Sequence, residues 1–400
     1  MSPARLPAEL ALPGEIVEIL RRLEEAGYET WCVGGALRDR LLGEADLDVD
    51  LATAARPEDV RRLFRRTVAV GEKHGTVGVL DRHRVLHEVT TFRKDVVTDG
   101  RHAVVEFGVS LEEDLARRDF TINALAYHPI RREWRDPFGG LADLLERRVV
   151  RAVGDPARRF AEDYLRILRM IRFAARLGFE IDPATWEEAR AGAAGLPDLS
   201  AERVRQEWFK GLATTRSIRR LVTLWREVGA AAIWLAELAD ASPFADDAPA
   251  VRDPVVLTAG LCRDPALVLG RLRASNEEVA RAQAMSAGPP EPAGEGEAGD
   301  AAAVRRWLAA AGGAADDLLL LARYRRGVAP PWADAVAEIR RRGEATSRKQ
   351  LALTGDDLAA AGVQPGPEMG RLLERLLDAV LTDPARNTRE GLLELVRSWR

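Results

Sequence analysis

Histidine is scarce in this 400-residue chain, and where it is missing matters more than how little there is. All five, His74, His83, His87, His102 and His128, fall in the first third. Everything beyond position 128 therefore lacks a His-ligated metal and a His general base. Cysteine is rarer still. Cys32 and Cys262 are too few for a disulfide framework or a zinc site and suit a reducing compartment. No apolar run is long enough to cross a bilayer and no secretory leader is evident, so a cytoplasmic location without membrane association is expected. Positive charge in excess is absent too: the formal net charge is -4. That excludes a uniformly basic nucleic-acid coat but leaves room for a local basic face. What remains is 46% hydrophobic and 30% charged, enough for two to four globular units with cores of their own.

The first 150 residues mix both periodicities. GEIVEILRRLEEAG (14–27) has helical spacing and ends on Gly, TWCVGG reads as a strand entering a turn, 36–42 suits a short helix and 47–53 a strand. Further strands are predicted at 67–70, 76–81, 84–92 and 104–107, with a helix over EEDLARRDFTINALAY (112–127). From Phe160 the pattern is helical throughout. Residues 286–301, rich in Gly, Pro, Ala and acid, read as a linker or exposed loop. The expected division is 1–150 as one α/β unit, 151–200 as a helical neck, 201–285 as a helical body, and 302–400 as a helical tail with a Gly-Pro turn at 362–367.

Within the first unit, Asp46, Asp48 and Asp50 alternate with Leu47, Val49 and Leu51. In a strand, positions 48 and 50 share a face, so two carboxylates converge and their repulsion calls for a cation. Oxygen-rich sites of this kind suit hard divalent ions, above all magnesium (Mg2+). A bare Asp-x-Asp equally describes an exposed acidic edge strand. Here the pair follows Gly34-Gly35 and Arg38-Asp39, glycines that let backbone amides approach a triphosphate and an arginine that can neutralise it. That conjunction favours nucleotidyl transfer.

These stretches resemble the class II tRNA nucleotidyltransferases (CCA-adding enzymes) and the bacterial poly(A) polymerases, within the DNA polymerase beta-like superfamily. Asp48 and Asp50 with Leu-Ala-Thr resemble the metal-binding pair, while Asp46 lies outside the match. KHGTVGV (73–79), HEVTTFRKDVVTDGRHAVVEF (87–107), LARRDFTINALAY (115–127), DPFGG (136–140) and EDYLRILRMIRF (162–173) follow in the family's order. The similarity thins over 200–280, where LSAERVRQEWFKGL still fits, and returns at LTGDDLAAAGVQPGPEMG. The resemblance implies an α+β nucleotidyltransferase (DNA polymerase beta-like) head followed by all-α neck, body and tail. It implies CCA addition to tRNA from CTP and ATP with magnesium as cofactor, and no obligate protein partner. CC-only, A-only and poly(A) members share the motifs. The intact loop with Asp95, Asp99 and Arg101 weighs against the first, and the lack of a long basic tail against the last. A non-catalytic RNA-binding relative would be expected to have lost its carboxylates, and a small-molecule nucleotidyltransferase would leave the long helical remainder unexplained.

Residue by residue, the expected catalytic set is Asp48, Asp50 and Glu88, the last sharing a strand face with Leu86 and Thr90. Gly35, Arg38, Arg118 and Asp119, the latter two in mid-helix, are expected around the triphosphate and ribose. Asp163, Arg166, Arg169 and Arg172 recur as one stripe of a helix starting at Glu162. A carboxylate only accepts hydrogen bonds and a guanidinium only donates. Cytosine and adenine each offer an amine donor beside a ring-nitrogen acceptor, and guanine and uracil the opposite, so Asp163 with Arg166 can select C or A without a template. Arg169 and Arg172 are left for phosphates. Arg-rich stretches at 147–176, 202–226 and 339–348 are candidates for holding RNA by phosphate and shape.

Overall fold

Apolar residues at Ile16, Ile19, Leu20 and Leu23 make one buried face of helix α1 (Gly14–Glu25), which Gly27 ends at φ +88. The computed structural model describes residues 9–44, 49–71, 75–98, 103–238, 244, 252–292 and 300–399. After α1 come β1 (Thr30–Val33), α2 (Gly35–Leu41), β2 (Asp50–Thr53), α3 (Pro57–Leu63), β3 (Thr67–Gly71), β4 (Thr76–Leu80) and β5 (Leu86–Thr91). Next are β6 (Arg93–Thr98), β7 (Ala103–Phe107), α4 (Leu111–Ala116), β8 (Ala126–His128) and β9 (Glu133–Arg135). Seven of these strands form one sheet in the order β3-β4-β5-β2-β1-β8-β9, and β6 pairs with β7 as a separate ribbon. The β2–β5 pair is parallel, with Leu51 beside Val89 and Ala52 beside Thr90; β1–β2 and β4–β5 are antiparallel.

Alternation decides which side of the sheet is core. Cys32, Leu51, Val77, Val79 and Val89 point to one side and are buried with α1 and Val60 of α3. The other side carries Trp31, Val33 and Ala52, covered by Phe92, Leu111 and Leu115. Asp50, Glu88 and Thr90 belong to this second side but lie beyond that cover.

The chain continues through α5 (Gly140–Ala142), β10 (Val149–Val150), α6 (Pro156–Glu162), α7 (Leu165–Leu177), β11 (Glu180–Ile181), α8 (Pro183–Ala191), α9 (Ala201–Thr214), α10 (Ile218–Glu227) and α11 (Ala230–Trp234). Residues 1–211 and 215–234 form one compact unit; 212–214 and 235–400 form the other. The second unit is helical: α12 (Pro254–Leu261), α13 (Pro265–Arg271), α14 (Asn276–Ser286), α15 (Ala301–Ala311), α16 (Ala315–Arg326), α17 (Ala333–Arg341), α18 (Gly355–Ala360), α19 (Pro367–Thr382) and α20 (Arg389–Trp399). Its cores gather around the tilted Trp307–Trp332 pair, with centroids 4.6 Å apart, and around Leu353, Leu376 and Val380. Among the described residues no helix is long and apolar enough to cross a membrane.

Two predicted elements differ from the structure at places that shape the site. The helix predicted over 112–127 is only α4: it starts on a Ser110–Glu113 capping box and stops at Ala116. Arg118 and Asp119 therefore lie beyond a helix end, where Phe120 pairs with Ala152 as an isolated bridge. The helix predicted from Glu162 is in fact interrupted. Asp163 is extended at φ -161 and ψ 104, with α6 ending before it and α7 beginning after Tyr164. Asp163 is thus off the stripe, and the helical face is continued instead by Arg166, Arg169, Arg172 and Arg176. Within the hairpin and loop expected over 87–107 the chain forms a further strand, β6, paired with β7, and beyond Phe160, where only helices were expected, β11 pairs in parallel with β10. Residues 287–292 of the predicted linker are described, with Glu291 paired to Arg326 at 2.6 Å.

Candidate active site

The strand–glycine–helix turn after β1 sets the geometry. Gly34 has φ +91, a conformation an L side chain resists, and a Cβ there would sit 3.1 Å from Asp50 Oδ2 and 3.7 Å from Arg118 Nη1. A Cβ on Gly35 would meet Arg38 Nη2 at 3.1 Å. Both glycines keep the floor clear beside a carboxylate and a guanidinium.

A cavity of about 620 Å³ opens there. Its lining brings together Gly35, Arg38, Asp50, Glu88, Arg118, Asp119, Asp163, Arg166, Arg169 and Arg172, every predicted site residue except Asp48. Asp48 lies outside the described residues, as do Asp46, His74, Asp99 and Arg101 and the side chain of Asp95. Nine arginines line the cavity against six carboxylates. A chain that is negative overall thus presents an excess of positive charge here, as a polyanionic ligand requires.

Each arginine is held differently. Arg38 is buried and donates to Asp39 Oδ1 and Oδ2 at 2.8 and 2.9 Å and to Asn123 Oδ1 at 2.5 Å, with its guanidinium over the Phe173 ring. These contacts fix its guanidinium in the cavity wall. Arg118 makes only long bonds, 3.3 Å to the Asn123 carbonyl and 3.4 Å to Asp114, and its Nε has no partner among the described residues. It is the arginine most able to turn toward a phosphate.

Asp119 is the best-anchored carboxylate. Oδ1 accepts from the Phe120 backbone N–H and from Asn123 Nδ2, both at 2.9 Å, and Oδ2 accepts from Arg169 Nε at 2.7 Å. Burial alone pushes its pKa up, but the Arg169 charge and these donors outweigh that and hold it at about 2. Asp119 therefore stays ionised and fixed.

Asp163 accepts from the Leu165 N–H at 3.0 Å and from Arg203 Nη2 at 2.6 Å. Arg166 pairs with Glu162 at 2.6 Å and donates to the carbonyls of Arg159 and Arg117. Acceptor and donor thus stand on opposite sides of the helix break, each held from behind by another group. Arg172 donates to buried Glu207 at 2.5 Å, and Arg176 bridges Asp39 and Glu44. Asn123, Arg176, Arg203 and Glu207 were missed in the sequence. The last two fall within LSAERVRQEW, and Arg176 continues the arginine spacing one turn past Arg172.

On the floor, Asp50 and Glu88 stand on neighbouring parallel strands, next to the Leu51–Val89 register. Among the described residues the cavity lining contains no Cys or His, so the donors they offer are hard oxygens. Among the described residues no three such ligands converge. Asp50 and Glu88 with their glycine-cleared approach nevertheless suit a divalent ion held partly by phosphate oxygens.

Residues 30–151 match the family model for the Poly A polymerase head domain, 178–241 the probable RNA and SrmB-binding site of polymerase A, and 332–396 the putative tRNA nucleotidyltransferase domain 2. A CCA-adding enzyme of Lacticaseibacillus paracasei is 36% identical over 406 residues, covering 95% of this chain and 94% of the relative. The chain belongs to the CCA-adding enzyme family. Another family member, from Leuconostoc mesenteroides, is 46% identical over 221 residues, where the match spans 54% of either chain. The solved structure of the Bacillus stearothermophilus CCA-adding enzyme in complex with CTP superposes with a TM-score of 0.75 at 31% identity, covering 96% of this chain and 97% of that one. The fold is that of the family, an α+β head followed by helices.

Proposed function

We propose that this protein is a template-independent tRNA nucleotidyltransferase that adds or repairs the 3′-terminal CCA from CTP and ATP and releases pyrophosphate. The observation that carries this reading is that one cavity is lined both by Asp50 and Glu88 and by Asp163 and Arg166. Reaction chemistry and base selection then share one site, and the groups that read the base are protein side chains. The RNA 3′-hydroxyl attacks the α-phosphate of CTP or ATP, its proton passes to water, the new oxygen–phosphorus bond forms, and the bond from the α-phosphorus to pyrophosphate breaks.

Asp48 and Asp50 are assigned as ligands of magnesium, with Glu88 as the third carboxylate. When bound, the ion supplies charge stabilisation at the reacting phosphate. Arg118 is assigned to the triphosphate and Asp119 to the ribose hydroxyl, its fixed charge making it a steady acceptor. Arg169 locks Asp119 in place, and Arg172, tied to Glu207, stiffens the reading helix. Residues 1–150 are assigned as catalytic head, 151–200 as neck, and 201–285 and 302–400 as RNA-holding body and tail on either side of 286–301. Pyrophosphate released from CTP should depend on a tRNA lacking its CCA end; release without tRNA would favour a small-molecule acceptor.

A further inference from the structure

We infer that the open, apolar half of the cavity-facing side of the head sheet seats the 3′-terminal nucleotide of the RNA acceptor. This rests on the reaction assigned above. Val68 stands opposite Gly78, and Gly78 opposite Glu88, so the three lie side by side on one face. Val70 and Leu86 come together over Gly78, where a Cβ would strike them at 2.8 and 2.5 Å. Val68, Val70 and Leu86 are 44, 43 and 37% exposed, three of the few large apolar side chains left open among the described residues. The reverse side of these strands is packed, with Val77, Val79 and Val89 buried. An aliphatic strip on an edge strand is a liability that most sheets blunt with charge. Here it runs directly up to a proposed catalytic carboxylate.

The position selects the occupant. Arg118, Asp119, Asp163 and Arg166 reach into the cavity from the other side, which is where the incoming nucleotide must lie. The attacking hydroxyl has to arrive beside Asp50 and Glu88 from the side left open, across this strip. The chemistry agrees. A terminal nucleotide offers an apolar base face and a flanking phosphate, and exposed Arg66, opposite Leu80 by the same register, stands at the far end of the strip. Burial of a base face against aliphatic side chains is non-directional and so tolerates any base. The terminal base changes as the end grows, so a strip without polar groups can hold each successive end, while a base-reading pocket would hold only one.

The test uses the full-length enzyme, a tRNA lacking its CCA end, and the same tRNA with an abasic 3′-terminal residue. Single-turnover CMP addition is followed against acceptor concentration for wild type, for Val68→Ser with Val70→Ser, and for Leu86→Ala. Since burying roughly 55 Å² of apolar base face against aliphatic side chains contributes an affinity factor of roughly tenfold, wild type should bind the abasic acceptor about that much more weakly. Both variants should weaken binding of the normal acceptor, lose the distinction between the two acceptors, and keep the wild-type KM for CTP. All these side chains are exposed, so folding should persist, as the melting temperature will report. Variants that still distinguish the acceptors by the wild-type factor overturn the inference, as does a change confined to CTP, or sedimentation showing the strip buried between two copies. If wild type adds no CMP to either acceptor, the reaction assignment fails first.

Discussion

Replacing Asp163 by alanine should alter base choice more than rate or folding. The side chain makes two contacts, to the Leu165 N–H at 3.0 Å and to Arg203 at 2.6 Å. Losing the first resembles losing a helix cap, about 0.5–2 kcal/mol. The Arg203 pair is about a third exposed and contributes roughly 0–1 kcal/mol. The variant should therefore fold with a modestly lowered melting temperature. The effect on selection is separate. If Asp163 reads the base as proposed, its removal takes away the acceptor for the exocyclic amine of cytosine or adenine, and one base contact contributes about 1–3 kcal/mol of discrimination. Incorporation of UMP or GMP relative to CMP and AMP should rise roughly 5- to 150-fold. Single-turnover incorporation of all four NTPs on tRNA lacking its end reads this directly. Arg203→Ala is the control, since it frees Asp163 without removing the acceptor and should keep the preference for C and A. A proportional loss of all four activities in Asp163→Ala, with preference intact, would make Asp163 structural and refute the protein-template argument.

Other expectations follow from the same geometry. Asp50→Ala should abolish nucleotide addition while tRNA affinity, measured by filter binding, stays within a few-fold, because its proposed role is at the reacting phosphates and the proposed hold on RNA lies mainly in the helical part. Glu207→Ala strands buried Arg172 and should cost about 3–5 kcal/mol in urea unfolding. Asp119 has a pKa lowered to about 2 from an ordinary 3.8, so its ionised form favours the folded state. That contribution, about 2 kcal/mol, is fully present above the ordinary value and fades as pH falls from about 4 toward 2. The stability gap between wild type and Asp119→Asn should narrow over that window; a gap independent of pH would contradict the ion pair with Arg169.

Much of the site was legible because it depends on local rules. Strand alternation put Glu88 on the face of Thr90, and Gly34 and Gly35 announced a turn where side chains cannot fit. The breaks were not legible. Nothing in Glu-Asp-Tyr-Leu opposes a helix, and the extended backbone at Asp163 goes with partners far along the chain: Arg203 holds its carboxylate and the Arg117 carbonyl holds Arg166. In the same way, Phe120 leaves the helical pattern to pair with Ala152. A three-residue spacing therefore suggested one stripe, whereas the fold sets acceptor and donors on two sides of a corner. Asn123, which joins Arg38 to Asp119, carried no signal of its own beyond the motif around it.

The central claim, that one protein-built site orders the addition of C, C and then A, is tested most directly by sequencing what the enzyme makes. End-labelled tRNA lacking CCA, lacking only the final A, or complete is incubated with each NTP separately and with CTP and ATP together. The enzyme should add two cytidines from CTP to the first, one adenosine from ATP to the second and full CCA from the pair, with no extension of the complete end and none from GTP or UTP. A long adenosine tract from ATP, or addition that stops at CC when both nucleotides are present, would contradict the central claim.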